Sequence, residues 1–348
     1  MLKIGIIGCG KITQVRHAPE YAENGACELV AWYDALPERA QAMAQQYGGK
    51  VCASVDELLA SGVDAVSVCV ANADHAQTAL KALQAGCHVL CEKPMATTLE
   101  DCVRMRDAAK ASGKRLLIGH NQRLSKAHVE ARKLIESGEL GRVITVHTMF
   151  GHPGPEGWTG LKNSWFFDKK RAAFGAMADL GIHKTDLLHY LLGESITGVS
   201  AFLGTLDKTY PDGSPISVDD NAFCLYRTQS GALGELHVSW TNYGEENNST
   251  QIYGTKGVLR LYDDPEYSLI WEKRDGDTVR MKLDELTSNK KQTSGERTST
   301  GVIDAFVHAV ATGEKSVLDA DEALKAMRVI FAANESAESG CAVTVRQD

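Results

Sequence analysis

The chain has 348 residues, which is more than one average domain and favours two. Its 43% hydrophobic and 24% charged residues are typical of a soluble globular protein. The net charge of -8 argues against a nucleic-acid partner or an anionic membrane, and no apolar run approaches the ~20 residues of a membrane span.

The cysteines indicate the compartment. There are nine, an odd number, and no CxxC pair occurs. The spacing Cys87-His88…Cys91 lies in an apolar β-type run, where cysteine behaves as a small hydrophobe, so no zinc site is predicted there. The sequence opens directly on a strand, without a leader. We therefore expect free thiols and a cytoplasmic protein.

The first ~120 residues alternate β-type runs with helical stretches. Strands are predicted at KIGIIG, CELVAWYD, DAVSVCVA, HVLCE and KRLLIGH. Helices are predicted over about 11–23, 37–47, 74–85 and 99–112. This alternation, with continuously apolar strands, predicts an α/β fold: a doubly wound Rossmann domain over residues 1–121.

A different rhythm follows over residues 122–348. Helices are predicted over about 125–137 and 175–192, then strands at ITGVSAFLGT, NAFCLYRT, GELHVSWT, GVLRLY and YSLIWEK. Two further helices, about 302–312 and 320–338, precede a short terminal strand. These elements predict an α+β domain with a large, mostly antiparallel open sheet, one face of which is available for another surface.

A glycine turn after the first strand predicts a dinucleotide site. Gly8 permits a tight turn, and Gly10 allows a pyrophosphate to approach the helix that Lys11 and Ile12 open. Thr13 replaces the third glycine of the fingerprint, which predicts looser helix–strand packing. Asp34 ends the second strand, where a carboxylate binds ribose hydroxyls and repels a 2′-phosphate. NAD is the expected cofactor, and nearby Arg39 leaves NADP open.

Residues 179–186, DLGIHKTD, carry titratable groups at helical spacing. In an α-helix Asp179, His183 and Asp186 fall within roughly a 60° arc. An acid–base group, a metal site and a solvated helix face are all compatible with these residue types.

Two further motifs complete a pattern. Glu92-Lys93-Pro94 ends the HVLCE strand, at the edge where open parallel sheets bind ligands, and VCVANADHA ends the strand before it. In this order and spacing, the four motifs resemble the glucose–fructose oxidoreductase/inositol dehydrogenase (Gfo/Idh/MocA) family over essentially the whole chain. The resemblance implies a nicotinamide-dependent oxidoreductase acting on a hydroxyl of a sugar or cyclitol, commonly a homodimer or homotetramer assembled through the C-terminal sheet.

The resemblance also implies roles for individual residues. The catalytic set would be Lys93, Asp179 and His183, with the Lys93–Pro94 bond commonly cis. Asp186 would play a supporting part, holding the domain interface. Further cofactor contacts would come from Ala71, Asn72, His75, Glu92 and Lys93. Asn121 and Arg123, in GHNQRLSKAH, would contact substrate, as would Lys93, Asp179 and His183.

The predicted chemistry is hydride transfer to the nicotinamide with proton transfer to His183, whose ring Asp179 orients, while Lys93 hydrogen-bonds the same oxygen. A metal is then unnecessary, and none is predicted. Substrate contacts are also expected from the aromatic segment 150–175, namely from His152, Asn163 and Trp165. Its aromatics are equally compatible with covering the sheet.

The substrate and the reaction class keep alternatives. The run Lys169-Lys170-Arg171 is either a phosphate contact or a surface charge run, so a neutral sugar, glycoside or inositol is favoured over a sugar phosphate. An NAD-dependent glycosidase, acting by transient oxidation of the sugar, uses the same residues. A non-catalytic dinucleotide or sugar sensor has no need of Lys93 with Asp179 and His183.

Overall fold

The computed structural model describes residues 1–160, 164–287 and 299–347. The chain divides into two compact units. The first contains Met1–Asn121 and the described part of Lys291–Leu324, and the second contains the described parts of Gln122–Lys290 and Lys325–Asp348. Within the described residues, no helix combines the length and apolar character needed to cross a membrane.

The first unit is built on a parallel six-stranded sheet. Its strands are β1 (Leu2–Ile7), β2 (Cys27–Tyr33), β3 (Lys50–Val51), β4 (Ala65–Val68), β5 (His88–Cys91) and β6 (Leu116–Ile118). Its helices include α1 (Ala18–Glu23), α2 (Pro37–Tyr47), α3 (Val55–Leu59), α4 (Asn72–Gln84) and α5 (Leu99–Ser112). The order β3-β2-β1-β4-β5-β6 is that of a Rossmann fold, so the doubly wound prediction is confirmed.

The second unit is built on a nine-stranded sheet. Its helices include α6 (Lys126–Glu136), α7 (Pro155–Thr159), α8 (Lys169–Ala172) and α9 (Ile182–Leu192). Its strands are β7 (Val143–Gly151), β8 (Ile196–Gly204), β9 (Asn221–Thr228), β10 (Leu233–Ser239), β11 (Thr250–Gly254), β12 (Gly257–Leu261), β13 (Leu269–Lys273), β14 (Thr278–Met281) and β15 (Val343–Thr344). The order is β14-β13-β12-β11-β7-β10-β9-β8-β15, and every pair except β7–β10 is antiparallel.

The second-domain prediction has the right class but lacks three strands. The central β7, with β11 and β14, was absent from it. In β7 the buried positions include Thr148 beside Val146, while Ile144 is exposed. The apolar alternation that marks a strand is therefore broken on both faces.

The last helices correct the predicted domain division. They are α10 (Val302–Thr312) and α11 (Ala320–Ser339). We predicted one domain over 122–348, whereas α10 belongs to the first unit. Asp304 of α10 accepts a hydrogen bond from Asn24 (2.7 Å), and the Ile118 N–H of β6 donates to the Leu318 carbonyl (2.9 Å). Periodicity predicts a helix but does not show which sheet it covers.

Candidate active site

The glycine turn after β1 has the geometry that a phosphate-binding loop requires. Gly8 has φ +95°, and a Cβ there would lie 2.4 Å from the Cys69 carbonyl oxygen, so only glycine fits. Thr13 is fully buried, and its hydroxyl donates to the Gly8 carbonyl at 2.6 Å. The Thr13 hydroxyl therefore closes the turn, and the looser helix–strand packing stays a prediction. By contrast, a Cβ on Gly10 would meet no described atom within 4 Å.

The residues beside this turn fit a dinucleotide. Lys11 and Ile12 begin the helix, are half-buried, and place a helix N-terminus beside the space at Gly10. Asp34 follows β2, and its two carboxylate oxygens accept the N–H groups of Cys9 (2.6 Å) and Leu36 (2.8 Å). Each oxygen keeps a lone pair for a ribose hydroxyl. Arg39 acts electrostatically on the Cys9 thiol, which puts its charge near the turn.

The start of α4, which follows β4, carries three predicted cofactor contacts, and one has another role. Ala71 and Asn72 are buried at the start of α4. Both ring nitrogens of His75 face carbonyl oxygens, of Pro94 at 2.7 Å and of Val70 at 3.2 Å. Burial lowers the pKa of His75, so its neutral ring donates one N–H, and the shorter contact marks Pro94 as the acceptor. His75 therefore holds the backbone at Pro94, a role that was not predicted for it.

The turn after β5 presents Lys93. The Lys93–Pro94 bond is cis, as the resemblance implies. Glu92 and Pro94 are buried, whereas Lys93 is partly exposed. Glu92 was predicted to bind cofactor, but one of its oxygens contacts the His17 ring at 2.8 Å and the other accepts the Lys93 N–H at 3.2 Å. The carboxylate is engaged inside the protein because His17 reaches it from the helix after the glycine turn.

The helix that carries DLGIHKTD is buried along its length except at one residue. From Gly175 to Leu191, every residue is buried except His183, which is partly exposed. The idea of a solvated helix face is therefore wrong. The helix also departs from the regular α-geometry assumed above, because Met177–Gly181 forms a π-turn immediately before α9. Single π-turns within α-helices occur frequently at functional sites.

Asp179 lies in that π-turn and is tied to the aromatic segment. Its Oδ2 accepts a hydrogen bond from the Trp240 indole at 3.1 Å. The Trp240 ring lies 6.5 Å from Phe166, whose own ring stacks on Trp165 at 4.0 Å. Trp165 is half-exposed. These contacts place a partly open aromatic pair close to a buried carboxylate.

Three other predicted substrate contacts have different outcomes. His152 is 3% exposed, its Nδ1 accepts the Gly154 N–H at 2.9 Å, and its ring is 5.9 Å from Phe150, which in turn is 6.0 Å from His183. Asn121 is half-buried, and its amide oxygen has no hydrogen-bond partner among the described residues. Asn163 lies outside the described residues.

Arg123 is a correction. It was predicted to contact substrate, but its guanidinium makes a bidentate ion pair with Asp186, at 2.7 and 2.8 Å, with both side chains 2% exposed. A buried, fully paired arginine is not presented to a ligand. A supporting role at the domain interface was predicted for Asp186, but its partner Arg123 belongs to the same unit. No cluster of three metal-ligating side chains occurs among the residues described.

Two site-forming groups were missed by the sequence analysis. Asp219 is buried, and its carboxylate accepts the N–H groups of Gly175 and Met177, both at 2.7 Å, where the helix begins. Burial outweighs these hydrogen bonds and raises the pKa of Asp219 to about 6. Lys184, next to His183, is fully buried and donates to the Asn248 carbonyl (3.1 Å) and the Thr250 hydroxyl (3.2 Å). Burial lowers the pKa of Lys184 to about 7.

Comparison with known proteins gives two family matches. The description "oxidoreductase family, NAD-binding Rossmann fold" applies to residues 2–120, and "GFO/IDH/MocA C-terminal domain" applies to residues 128–260. D-glucoside 3-dehydrogenase of Escherichia coli (strain K12) is 30% identical over 98% of this chain and 97% of that protein. Glucose-6-phosphate 3-dehydrogenase of Bacillus subtilis (strain 168) is 36% identical over 75% of each chain. The crystal structure of a levoglucosan dehydrogenase with NADH and levoglucosan has a TM-score of 0.84, at 26% identity, and covers 100% of this chain and 99% of that one.

Proposed function

Because the chain belongs to the GFO/IDH/MocA family of NAD-binding oxidoreductases, which act on sugars and cyclitols, we propose that it oxidises a ring hydroxyl of a glucoside or related neutral sugar. The observation that carries the proposal is the burial pattern of the helix 176–191, in which every residue is buried except His183, which is partly exposed. The D-glucoside 3-dehydrogenase relative supports the hydroxyl at ring carbon 3.

In this reaction, His183 is the base and Lys93 stabilises charge. NAD, which the glycine turn and Asp34 would hold, would supply the acceptor for the hydride of the carbinol carbon. His183 takes the hydroxyl proton, and Asp179, held by the Trp240 indole, orients its ring. The Lys93 ammonium hydrogen-bonds the same oxygen and stabilises the negative charge that develops there. Trp165 and Phe166 offer a flat apolar surface for the sugar ring, with His152, Asn121 and Asn163 as hydroxyl partners.

Asp34 supports the choice of NAD over NADP. A carboxylate held by two backbone N–H groups is fixed where it binds ribose hydroxyls and repels a 2′-phosphate. Arg39 is a nearby charge that favours NADP. Replacing Asp34 with Ala should weaken NAD binding and relax the discrimination, as measured by titration with both cofactors.

The discriminating experiment is a spectrophotometric screen for NADH. Methyl glucosides, free glucose, myo-inositol and glucose 6-phosphate are compared with the wild type and with His183→Ala. NADH formation from a neutral sugar that is lost in the variant supports the proposal. Cleavage of a glycoside without net NADH identifies the glycosidase instead, and turnover of inositol alone identifies a cyclitol dehydrogenase.

A sugar phosphate is the second candidate substrate. Lys169, Lys170 and Arg171 are exposed on α8, and Arg171 lies 6.0 Å from the Trp165 ring. The glucose-6-phosphate 3-dehydrogenase relative favours this candidate as well. If only the phosphate turns over in the screen, and Lys170→Ala with Arg171→Ala raises its KM, the second candidate replaces the first.

We further propose that the protein is a homodimer or homotetramer assembled through the open face of the second-unit sheet. Phe202 and Phe223 are cross-strand neighbours, 78% and 47% exposed, with exposed Leu225 two residues along β9. An apolar face of this kind on a sheet is an association surface. Phe223→Glu should reduce the mass seen by light scattering to that of a monomer. Leu36→Glu, at an exposed leucine of the first unit, should leave the mass unchanged.

The cytoplasm is the compartment we propose. All nine cysteines are free thiols, and eight are buried. Free thiols persist in a reducing compartment. Fractionation of the native cells tests this location.

A further inference from the structure

Two buried histidines, from different parts of the first unit, contact the two sides of the Lys93–Pro94 turn. His17 follows the glycine turn and is fully buried. His75 lies in α4 and is 1% exposed. One holds the residue before Lys93 through the Glu92 carboxylate, and the other holds the residue after it through the Pro94 carbonyl.

From this geometry we propose that His17 and His75 are positioning residues for Lys93, acting as a paired clamp on the two ends of its turn. The proposal rests on the proposed function, in which Lys93 acts on the substrate hydroxyl. Neither histidine is a catalytic residue, because each is fully occupied with groups of the turn or of the core.

The His17 arm is a chain of hydrogen bonds that ends inside the protein. Its Nε2 contacts Glu92 Oε1 at 2.8 Å, and Glu92 Oε2 accepts the Lys93 N–H at 3.2 Å. On the other side, His17 Nδ1 contacts the Ser67 hydroxyl at 3.2 Å, which contacts the Tyr21 hydroxyl at 2.8 Å. Tyr21 is 1% exposed, so the chain has no exit to solvent there. It holds Glu92 in place and does not conduct a proton.

The charges around this arm favour a permanent ion pair. Burial alone favours a neutral His17, but Cys69 and Glu92, which face the ring, raise the pKa of His17 to about 10. Burial alone favours a neutral Glu92, but His17, Arg16 and Lys93 lower the pKa of Glu92 to about 2. The His17 imidazolium therefore compensates the Glu92 carboxylate throughout the neutral range.

The His75 arm works without charge. Burial is the largest influence on His75 and lowers its pKa, against the opposing effects of the Pro94 and Val70 carbonyls, Glu92 and Asp74. A neutral ring with Nδ1–H pointing at Pro94 fixes that carbonyl at 2.7 Å. Since a 1 Å misplacement of a catalytic group can cost about 100-fold in rate, a clamp at both ends of the turn has a kinetic consequence.

The test combines NMR of the imidazole rings with kinetics. In the free protein, labelled in its histidines, the His17 ring should be doubly protonated from pH 6 to 9, and the His75 ring neutral. His17→Gln assigns the signal. The same variant should lower kcat by about 10- to 100-fold with the NAD Kd changed by less than about threefold. Adding Glu92→Gln to it removes the uncompensated carboxylate and should restore part of the loss.

The control is His88→Gln, at the opposite end of β5, where the ring accepts the Arg115 N–H. It should lower Tm and leave kcat unchanged. If His17→Gln does not fold, His75→Asn, which keeps an N–H donor, is compared with His75→Ala. A higher kcat for Asn supports the clamp.

A His17 ring that titrates near pH 6.5, or a His17→Gln variant with reduced Tm and wild-type kcat, overturns the clamp. These results differ from failure of the proposed function. If the proposed function fails, no sugar yields NADH with the wild type. The NMR signals of the His17 and His75 rings then decide whether the clamp exists.

Discussion

The two parts of the predicted active site are held by groups whose charges depend differently on pH. Around Lys93, the pKa of His17 is raised to about 10 and that of Glu92 is lowered to about 2, although burial opposes both shifts. Around His183, burial raises the pKa of Asp219 to about 6 and lowers that of Lys184 to about 7. The first set keeps its charge across the neutral range, whereas the second titrates within it.

The difference follows from the partners and not from the degree of burial. His17 faces Cys69 and, at 2.8 Å, the Glu92 carboxylate; both raise its pKa, and the carboxylate and the imidazolium compensate each other. Among the described residues, Lys184 donates to the neutral oxygens of Asn248 and Thr250. Asp219 accepts two backbone N–H groups, but it also has Asp220 next to it. A buried group keeps its charge when an opposite charge offsets its desolvation.

The largest expected effect comes from removing the reacting groups themselves. His183→Ala should lower kcat by ~10²–10⁴ and leave the NAD Kd nearly unchanged, because a positioned base contributes that factor. Lys93→Ala should lose a comparable factor, and the double variant less than the product. Steady-state kinetics on the sugar identified by the screen measures both.

The control for these variants is His308→Ala, an exposed imidazole on α10, which should keep wild-type kcat. Strict multiplicativity in the double variant would contradict action on one proton transfer, and would assign Lys93 and His183 to separate tasks.

Lys184 should make stability depend on pH. Its pKa is lowered from 10.5 to about 7 in the folded protein. Between these two pH values Lys184 is protonated in the unfolded chain and neutral in the folded protein. The free energy of unfolding should therefore rise as pH increases from 7 to 10.5, by up to roughly 4–5 kcal/mol. Urea denaturation at several pH values measures the slope. Lys184→Met should abolish the slope, while the exposed Lys170→Met should keep it. Equal slopes in the wild type and both variants would mean that the pKa of Lys184 is not lowered in the folded protein.

Asp219→Asn tests the support of the catalytic helix. The amide nitrogen cannot accept an N–H, so one of the two bonds at Gly175 and Met177 is lost, at a cost of about 1–2 kcal/mol. We expect about a tenfold lower kcat with an unchanged NAD Kd, because the π-turn holding Asp179 loosens. The raised pKa also makes the free energy of unfolding fall as pH rises from about 4 to 6, and the variant should lose that slope.

Asp220→Asn is the matched control. Asp220 accepts the N–H groups of Leu206, Asp207 and Lys208, and none from the helix. It should reduce stability while preserving kcat. A similar fall in kcat for both variants would show that general loosening, and not the helix cap, is responsible.

How far the sequence predicted these features depends on the range of the interaction. The positions of Gly8, Asp34 and Lys93 in turns that follow strands were predicted because strand ends and glycine turns have local signatures. The support of the helix start was missed because the N–H groups of Gly175 and Met177 bind Asp219, more than 40 residues away. The roles of Glu92 and Arg123 were misjudged for the same reason, since their partners, His17 and Asp186, are distant in sequence. Two adjacent acids in VDDNAF, between a loop and a strand, were the available signal for Asp219.

The smallest expected effect is an absence of pH dependence in NAD binding. The shifted groups near the glycine turn and the Lys93 turn are His17 (about 10), Glu92 (about 2) and Cys9, whose pKa burial raises to about 12. The pKa of His75 is lowered as well, which leaves its ring neutral. None of these groups changes charge between pH 6.5 and 8, so the NAD Kd from fluorescence titration should vary by less than about twofold over that range. Over the same range the free energy of unfolding should already be changing, because Lys184 titrates. A tenfold change in the NAD Kd would locate a titrating group in the first unit and erase the contrast between the two parts of the site.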